Sequence, residues 1–324
     1  MGSFLPFSFV AIFVIAAVVA VGYADISPEV YWKKVLPNTP IPNSILEKLH
    51  AEVIDEKTGN SVDVGKRVNV NADASFIIYR YAASADKLHD DPNVALSSLR
   101  RTCAKVLKTL FTETLQFIER VSTKFNMFFP NISKSGPKFL PRNVVDAIPF
   151  SSAKISETLK HFSIEPNSLD AKTMMKTIKE CEEPAIKGET KYCATSLESM
   201  VDFANSTLGT NIKALATETK KEAPKQLYTI APGVHKMASP KTLGCHIKAY
   251  VHTVYYCHQT SDTTAYVVPL VGKDKVKVDT VAVCHKDTSQ WNPKHMAFQK
   301  LKVKPGSVPI CHFIPLDHIV WVQN

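Results

Sequence analysis

Four cysteines of this chain are each followed directly by a histidine: Cys245-His246, Cys257-His258, Cys284-His285 and Cys311-His312. Ten residues lie between the first two pairs and 25 between each later neighbour. Imidazoles and thiolates are common transition-metal ligands, and thiols also form disulfides. Adjacent residues on a strand point to opposite faces, so within each pair the sulfur and the ring serve different surfaces. In an oxidising compartment the natural division is sulfur to disulfide and imidazole to a second task. Recurrence beside structural cysteines directs His246, His258, His285 and His312 to one metal locus. Neutral nitrogen donors there favour Cu(II), with Zn(II) behind it on intrinsic affinity. The plainer alternative is four hydrogen-bonded sheet histidines. A thiolate zinc finger is disfavoured by the compartment and by the lack of any C-x2-C spacing.

The compartment is read from the N-terminus. Residues 4–21 are almost wholly apolar, Gly22 and Ala24 are small, and Asp25 is the first charged residue. This is the pattern of a secretory signal peptide cleaved after about residue 24. An uncleaved anchor is the alternative, but no basic stop-transfer cluster follows, so no stable membrane anchor is expected. Seven cysteines suit a secreted, disulfide-stabilised chain, with one left over: Cys103, Cys181, Cys193, Cys245, Cys257, Cys284 and Cys311. Cys181 with Cys193 would close a loop of about 13 residues, worth roughly 3 kcal/mol on the chain-entropy model. The four pair cysteines allow three connectivities, and their spacing does not choose among them. Asn131 and Asn205 open glycosylation sequons. The formal charge is +9, from 39 basic and 30 acidic residues interspersed along the chain. No basic stripe with interleaved aromatics suggests nucleic acid, whereas weak net positive charge suits an acidic wall polymer.

The elements that must position these groups follow from periodicity. Residues 25–92 form a leader, rich in proline at first and then polar, expected to be extended and partly disordered apart from one short helix over 45–53. Helices are expected over 152–162, 168–180 and 196–208, the first capped by Ser151-Ser152. Strands are expected over 247–256, 265–271, 276–283, 297–303 and 319–322. The fold class is α+β, helices followed by a β-rich C-terminal unit. Trp321, ending an apolar strand, is read as a core anchor.

The pattern C-H-x10-C-H-x25-C-H-x25-C-H resembles the defining motif of the plant BURP domain, placed here at residues 93–324. Supporting segments surround Cys181-Glu182-Glu183-Pro184, Lys191-Tyr192-Cys193, Trp291-Asn292-Pro293-Lys294-His295 and Asp317-His318-Ile319-Val320-Trp321. Pro28-Glu29-Val30-Tyr31-Trp32 and Leu36-Pro37-Asn38-Thr39-Pro40 resemble the seed-protein and dehydration-responsive branches. Lying in family-like segments, His295 and His318 become secondary metal candidates; His235 and His252 are read as surface or core histidines. Residues 97–103 depart from the family. Back-translation with one nucleotide moved turns them into Phe-Phe-Leu-Glu-Lys-Asp-Leu, which the family carries, so residues 97–108 are read as a shifted frame. Residues 115–135 also exceed what the family needs, so 97–135 as a whole is atypical.

The resemblance implies a secreted apoplastic or cell-wall protein, non-catalytic and associated with development or stress response, with wall polysaccharide or wall proteins as partners. The alternative it implies is a copper-dependent peptide cyclase crosslinking Tyr or Trp side chains of a short peptide. Residues 25–115 contain no Gln, which argues against self-cyclisation on the family's core-peptide pattern. A branch that positions wall hydrolases carries Phe- and Gly-rich repeats, absent from this chain. Non-reducing peptide mapping of the secreted protein checks the framework. Cys181 is expected to pair with Cys193, the four pair cysteines to be oxidised among themselves and Cys103 to be free; an alkylatable thiol among those four contradicts it.

Overall fold

The computed structural model describes residues 26–49, 124–129, 136–221 and 223–324. The expected signal peptide, Cys103, residues 97–108 read as a shifted frame, and Asn131 fall outside these residues. The architecture is α+β, with two antiparallel sheets and helices against one of them. Strands β2 (Glu189–Ala194), β8 (Val254–Thr260), β7 (Thr242–Lys248), β12 (Ile319–Gln323) and β3 (Ile212–Ala216) form, in that order, a five-stranded sheet. The seven-stranded sheet runs β1 (Lys124–Phe129), β5 (Ala223–Ile230), β9 (Thr263–Gly272), β10 (Lys277–His285), β11 (Ile310–Phe313). Short β4 (Glu218–Thr219) pairs with β10, and β6 (His235–Lys236) with β9.

Alternation along the strands builds three apolar layers. Ala265, Val281 and Val283 of one sheet meet Val320 and Val322 of the other in an inter-sheet layer. The outer face of the five-stranded sheet presents Leu243, Cys245, Tyr255, Cys257, Ile319 and Trp321 to helix α6 (Leu197–Leu208). Helix α6 starts on a capping box between Ser196 and Ser199 and faces the sheet with Leu197, Met200, Val201 and Ala204. The outer face of the seven-stranded sheet gathers Tyr228, Tyr266, Val268, Ala282 and Cys284. Helices α4 (Ile155–His161) and α5 (Leu169–Glu182), capped by Ser168, pack Leu159, Met174 and Ile178 on Tyr250 and Val254. Two further helices are α3 (Arg142–Val145) and α7 (Met296–Leu301). Among the described residues no helix is long and apolar enough to cross a membrane.

Three expectations are corrected. The start of the leader is helical and docked, not extended: Ser27 caps α1 (Pro28–Val35), ahead of the short helix expected over 45–53, which is α2 at Asn43–Leu49. Trp32 is fully buried, 5.2 Å from Trp321, and its Nε1–H donates to Thr39 O at 2.7 Å. The Thr39 hydroxyl in turn donates to Ile212 O at 2.6 Å, so the leader binds the sheet through backbone as well as apolar contacts. The run 247–256 is two strands, because residues 249–253 leave the sheet. There Thr177 Oγ1 donates to Ala249 O at 2.8 Å, and Thr253 N–H donates to Lys138 O at 2.9 Å. Residues 297–303 enter a helix: His295 Nδ1 accepts from Ala297 N–H, and Lys302 closes α7 in the left-handed region, overriding the β-propensity of the segment. Strand β1 comes from the atypical stretch 97–135; it pairs with β5, and Phe129 packs edge-on against Tyr228.

Docking α1 through one large aromatic side chain makes Trp32 a stability determinant. Trp32→Ala is expected to cost about 3–5 kcal/mol by urea unfolding; a loss under about 1 kcal/mol would show that α1 is dispensable to the core.

Candidate functional site

The hairpin register sets Cys245 directly opposite Cys257, and the β10–β11 register sets Cys284 opposite Cys311. Both pairs are disulfides, and the third joins Cys181 to Cys193. The first two bridges face outward on opposite sides of the molecule, Cys245–Cys257 toward α6 and Cys284–Cys311 into the outer layer of the other sheet. Their neighbouring imidazoles therefore enter the space between the sheets. Ring centroids run 5.3 Å from His246 to His258, 6.1 Å to His285, 5.6 Å to His312 and 6.0 Å back to His246. Thr242, Gly244, Thr260, Thr263, Val283 and Ile314 complete the walls.

The enclosed space is about 10 Å³, the room of a single water-sized sphere. His246 Nε2 and His258 Nε2 lie 3.3 Å apart across it, near the spacing of about 3.3 Å that two tetrahedral ligands acquire at bond lengths of about 2.0 Å. Among the described residues, no group of three or more His, Cys, Asp or Glu side chains stands in an arrangement that could hold a metal ion as it is. The donor chemistry fits Cu(II) or Zn(II): nitrogen ligands, no free thiolate, and a centre with room for one ion. His246, His258, His285 and His312 would hold it.

Outer partners orient the rings, as at metal-ligating histidines generally. His258 Nδ1 donates to Glu189 Oε1 at 3.0 Å, and the Tyr256 hydroxyl donates to the same oxygen at 3.3 Å. Burial raises the Glu189 carboxyl, but hydrogen bonds from His258, the Ile186 N–H and Tyr256 outweigh it and hold the group below its usual range. His246 Nδ1 meets His318 Nδ1 at 2.9 Å. His285 Nδ1 lies 3.2 Å from Thr260 Oγ1 and 3.3 Å from Thr263 Oγ1. His318 thus joins the cluster. His295 caps α7 and packs at a tilt against Trp291, which lies against His285. His235 lies exposed on β6, and His252 is buried against Tyr250. Asn205 stands in α6 with its side-chain oxygen buried.

Sequence reasoning passed over Glu189, Thr260, Thr263 and Gly244. Glu189 lies two residues before Lys191, which faces His258 in the register, a diagonal reach that a long side chain spans. Gly244 faces His258 across the hairpin, and a Cβ there would stand 3.3 Å from His246 Nε2. A glycine inside a strand, directly before Cys245-His246, is the signal that could have marked this close approach.

The BURP domain model matches residues 113–323 of this chain. The chain belongs to the BURP domain family. It is 38% identical over 384 aligned residues to BURP domain protein RD22 of Arabidopsis thaliana, covering 92% of this chain and 94% of that one. BURP domain-containing protein 3 of Oryza sativa subsp. japonica is 46% identical over 267 residues, covering 80% of this chain and 57% of that protein. Protein RAFTIN 1B of Triticum aestivum is 34% identical over 331 residues, covering 93% and 91%. The four Cys-His pairs all fall within the matched BURP segment.

Burial pushes His318 down to about 3, aided by the charges of Lys248 and Lys48. Burial, then the nearby His258, pushes His312 down to about 4. Burial and neighbouring imidazoles also hold His246 and His285 well below the ordinary value. For a histidine whose pKa is depressed by folding, the unfolded chain binds more protons between the two values. The contribution is therefore complete above about pH 6.5, the ordinary value, and is lost as pH falls toward 4 and 3. In metal-free protein the urea midpoint is expected to drop between pH 7 and 5, with a slope approaching about 1.4 kcal/mol per pH unit for each ring. A flat profile contradicts the depressed values.

Proposed function

We propose that this chain is a secreted apoplastic or cell-wall BURP domain protein, non-catalytic and associated with development or stress response, whose Cys-His histidines hold one Cu(II) ion, with Zn(II) as the weaker ligand. The observation that carries the reading is the closed ring of His246, His258, His285 and His312 around a space of about 10 Å³. Three disulfides suit an oxidising compartment. Placement in the wall rests on the resemblance and on the net charge of +9, which favours acidic polymers.

The space among the rings has room for about one water-sized sphere. Bound copper would supply one-electron redox chemistry. The protein's own groups turn ring nitrogens toward the centre, hold His246, His285 and His312 below the ordinary imidazole value through burial and, through the two flanking disulfides, fix the strands that carry them. The cyclase alternative needs a peptide to reach that centre.

Titration calorimetry with Cu(II) and Zn(II) on the mature protein and on the four single His→Ala variants tests the locus. Each variant is expected to lose roughly tenfold or more in affinity; four variants that bind like the parent would make the histidines structural. Intact-mass analysis after Cu(II) addition under air separates the classes. An unchanged mass is expected, and a loss of two hydrogens localised to one peptide would favour the cyclase.

A further inference from the structure

Between β10 and β11 the chain leaves the seven-stranded sheet for residues 286–309, a stretch with Lys286, Lys294, Lys300, Lys302 and Lys304 and a single acid, Asp287. The excursion is tied at its neck. Thr288 is fully buried, and its Oγ1 accepts from Gly306 N–H at 3.0 Å. Gly306 takes φ +71°, and a Cβ there would stand 3.1 Å from the Ser289 side chain. Farther out, Asn292 Oδ1 accepts from Lys294 N–H at 2.9 Å, Gln299 Nε2 donates to Lys294 O at 2.8 Å, and the Ser307 hydroxyl donates to Lys304 O at 2.6 Å. The backbone that carries the lysines is thus set before any partner arrives.

Lys286, Lys294, Lys302 and Lys304 are exposed, and among the described residues they form no ion pair. Other lysines are committed: Lys248 is matched by Glu180 at 2.7 Å, and Lys48 is buried at the end of α2, where Phe139 N–H donates to its carbonyl at 3.0 Å. The acids nearby are Asp287, whose Oδ1 accepts from Ser289 N–H at 2.9 Å, and Asp262, whose carbonyl accepts from Lys286 N–H at 3.0 Å. Four exposed ammonium groups against two carboxylates leave this end of the molecule basic. The loop also holds the one tryptophan outside the core. Of three tryptophans, Trp32 and Trp321 are fully buried, whereas Trp291 is half-buried. Its ring lies 4.9 Å from His285 and 5.0 Å from His295. Lys286 follows the first of these histidines and Lys294 precedes the second, so the indole is flanked by two basic residues. The Thr288–Gly306 tie brings Lys304 to the same neck as Lys286, each two residues from it.

An indole with an accessible part and ammonium groups on either side asks for a ligand with an apolar face and anionic groups. A uronic acid carries both on one sugar: the C–H face of the pyranose packs on an aromatic ring, and the carboxylate pairs with lysine. Three disulfides suit an oxidising compartment, where the acidic polymer is polysaccharide rather than nucleic acid. We propose that Trp291, with Lys286, Lys294 and Lys304, forms a binding site for a uronic-acid polysaccharide. The proposal rests on the wall-polymer reading above and gives that polymer a defined place, where net charge alone gives it none. It needs no metal in the histidine locus.

Tryptophan fluorescence of the metal-free mature protein, titrated with de-esterified oligogalacturonate at low salt, tests it. Because the other two indoles are buried, a change in emission and protection from acrylamide quenching are expected to report Trp291. Trp291→Phe is expected to abolish the optical change. The triple variant Lys286→Ser, Lys294→Ser, Lys304→Ser is expected to bind roughly tenfold more weakly. A matched triple at the other end of β10, Lys220→Ser, Lys273→Ser, Lys277→Ser, removes the same charge from exposed positions and is expected to bind like the parent. Equal weakening in the two triples would make net charge the cause and overturn the site, as would binding that leaves emission and acrylamide access unchanged. Polyglutamate that binds as tightly as oligogalacturonate overturns the sugar assignment in favour of an acidic peptide. A parent that does not bind oligogalacturonate at all removes the wall-polymer reading itself, and the site with it.

Discussion

Side chains on a β-strand alternate with a period of two, and this chain places two chemistries on that alternation. Each Cys-His dipeptide sends sulfur to one face and imidazole to the other, and cross-strand pairing joins the sulfurs two by two. A slip of one residue in either strand pair would exchange the faces, burying sulfur between the sheets and turning the rings outward. The disulfides forbid that slip covalently. They hold the register on which the convergence of four rings from four strands depends.

The cluster is held against a steep solvation gradient. Imidazoles packed against one another in a poorly hydrated space disfavour their own cations, both by burial and by mutual repulsion. Every ring nitrogen there must find a donor, an acceptor or an ion. Glu189, Thr260, Thr263 and His318 take the outward nitrogens, which leaves Nε2 of His246 and Nε2 of His258 facing one another at 3.3 Å. Strong apolar packing on both outer faces of the sandwich offsets the cost of this polar interior.

Much of this was legible in the sequence because it is local. The Cys-His alternation, the helices capped at Ser168 and Ser196, and the family motif all live within a few residues of one another. What escaped was non-local. The break at residues 249–253 follows from Tyr250 finding partners on α4 and α5, not from its own neighbours. The helix Met296–Leu301 reads as strand until its caps are seen. The leader looked like proline-rich tail because the partner of Trp32 is Trp321, nearly the whole chain away, which it meets at a tilt. Glu189 and Gly244 acquire meaning only once the β2–β8–β7 register brings them beside His258 and His246.

The hydrogen bond from Phe139 N–H to Lys48 O has a consequence for how such a chain can vary. It brings together the two ends of a connection that departs after α2 and returns before residue 139, although β1 is drawn from within it. For a connection tied at both ends, closure entropy grows only with the logarithm of its length, about 0.6 kcal/mol for each doubling. The geometry of the knot is thereby decoupled from the amount of rope. Lineages can lengthen, shorten or reread residues between the two ties at little thermodynamic cost, while Trp32 and Lys48 stay where the sandwich needs them.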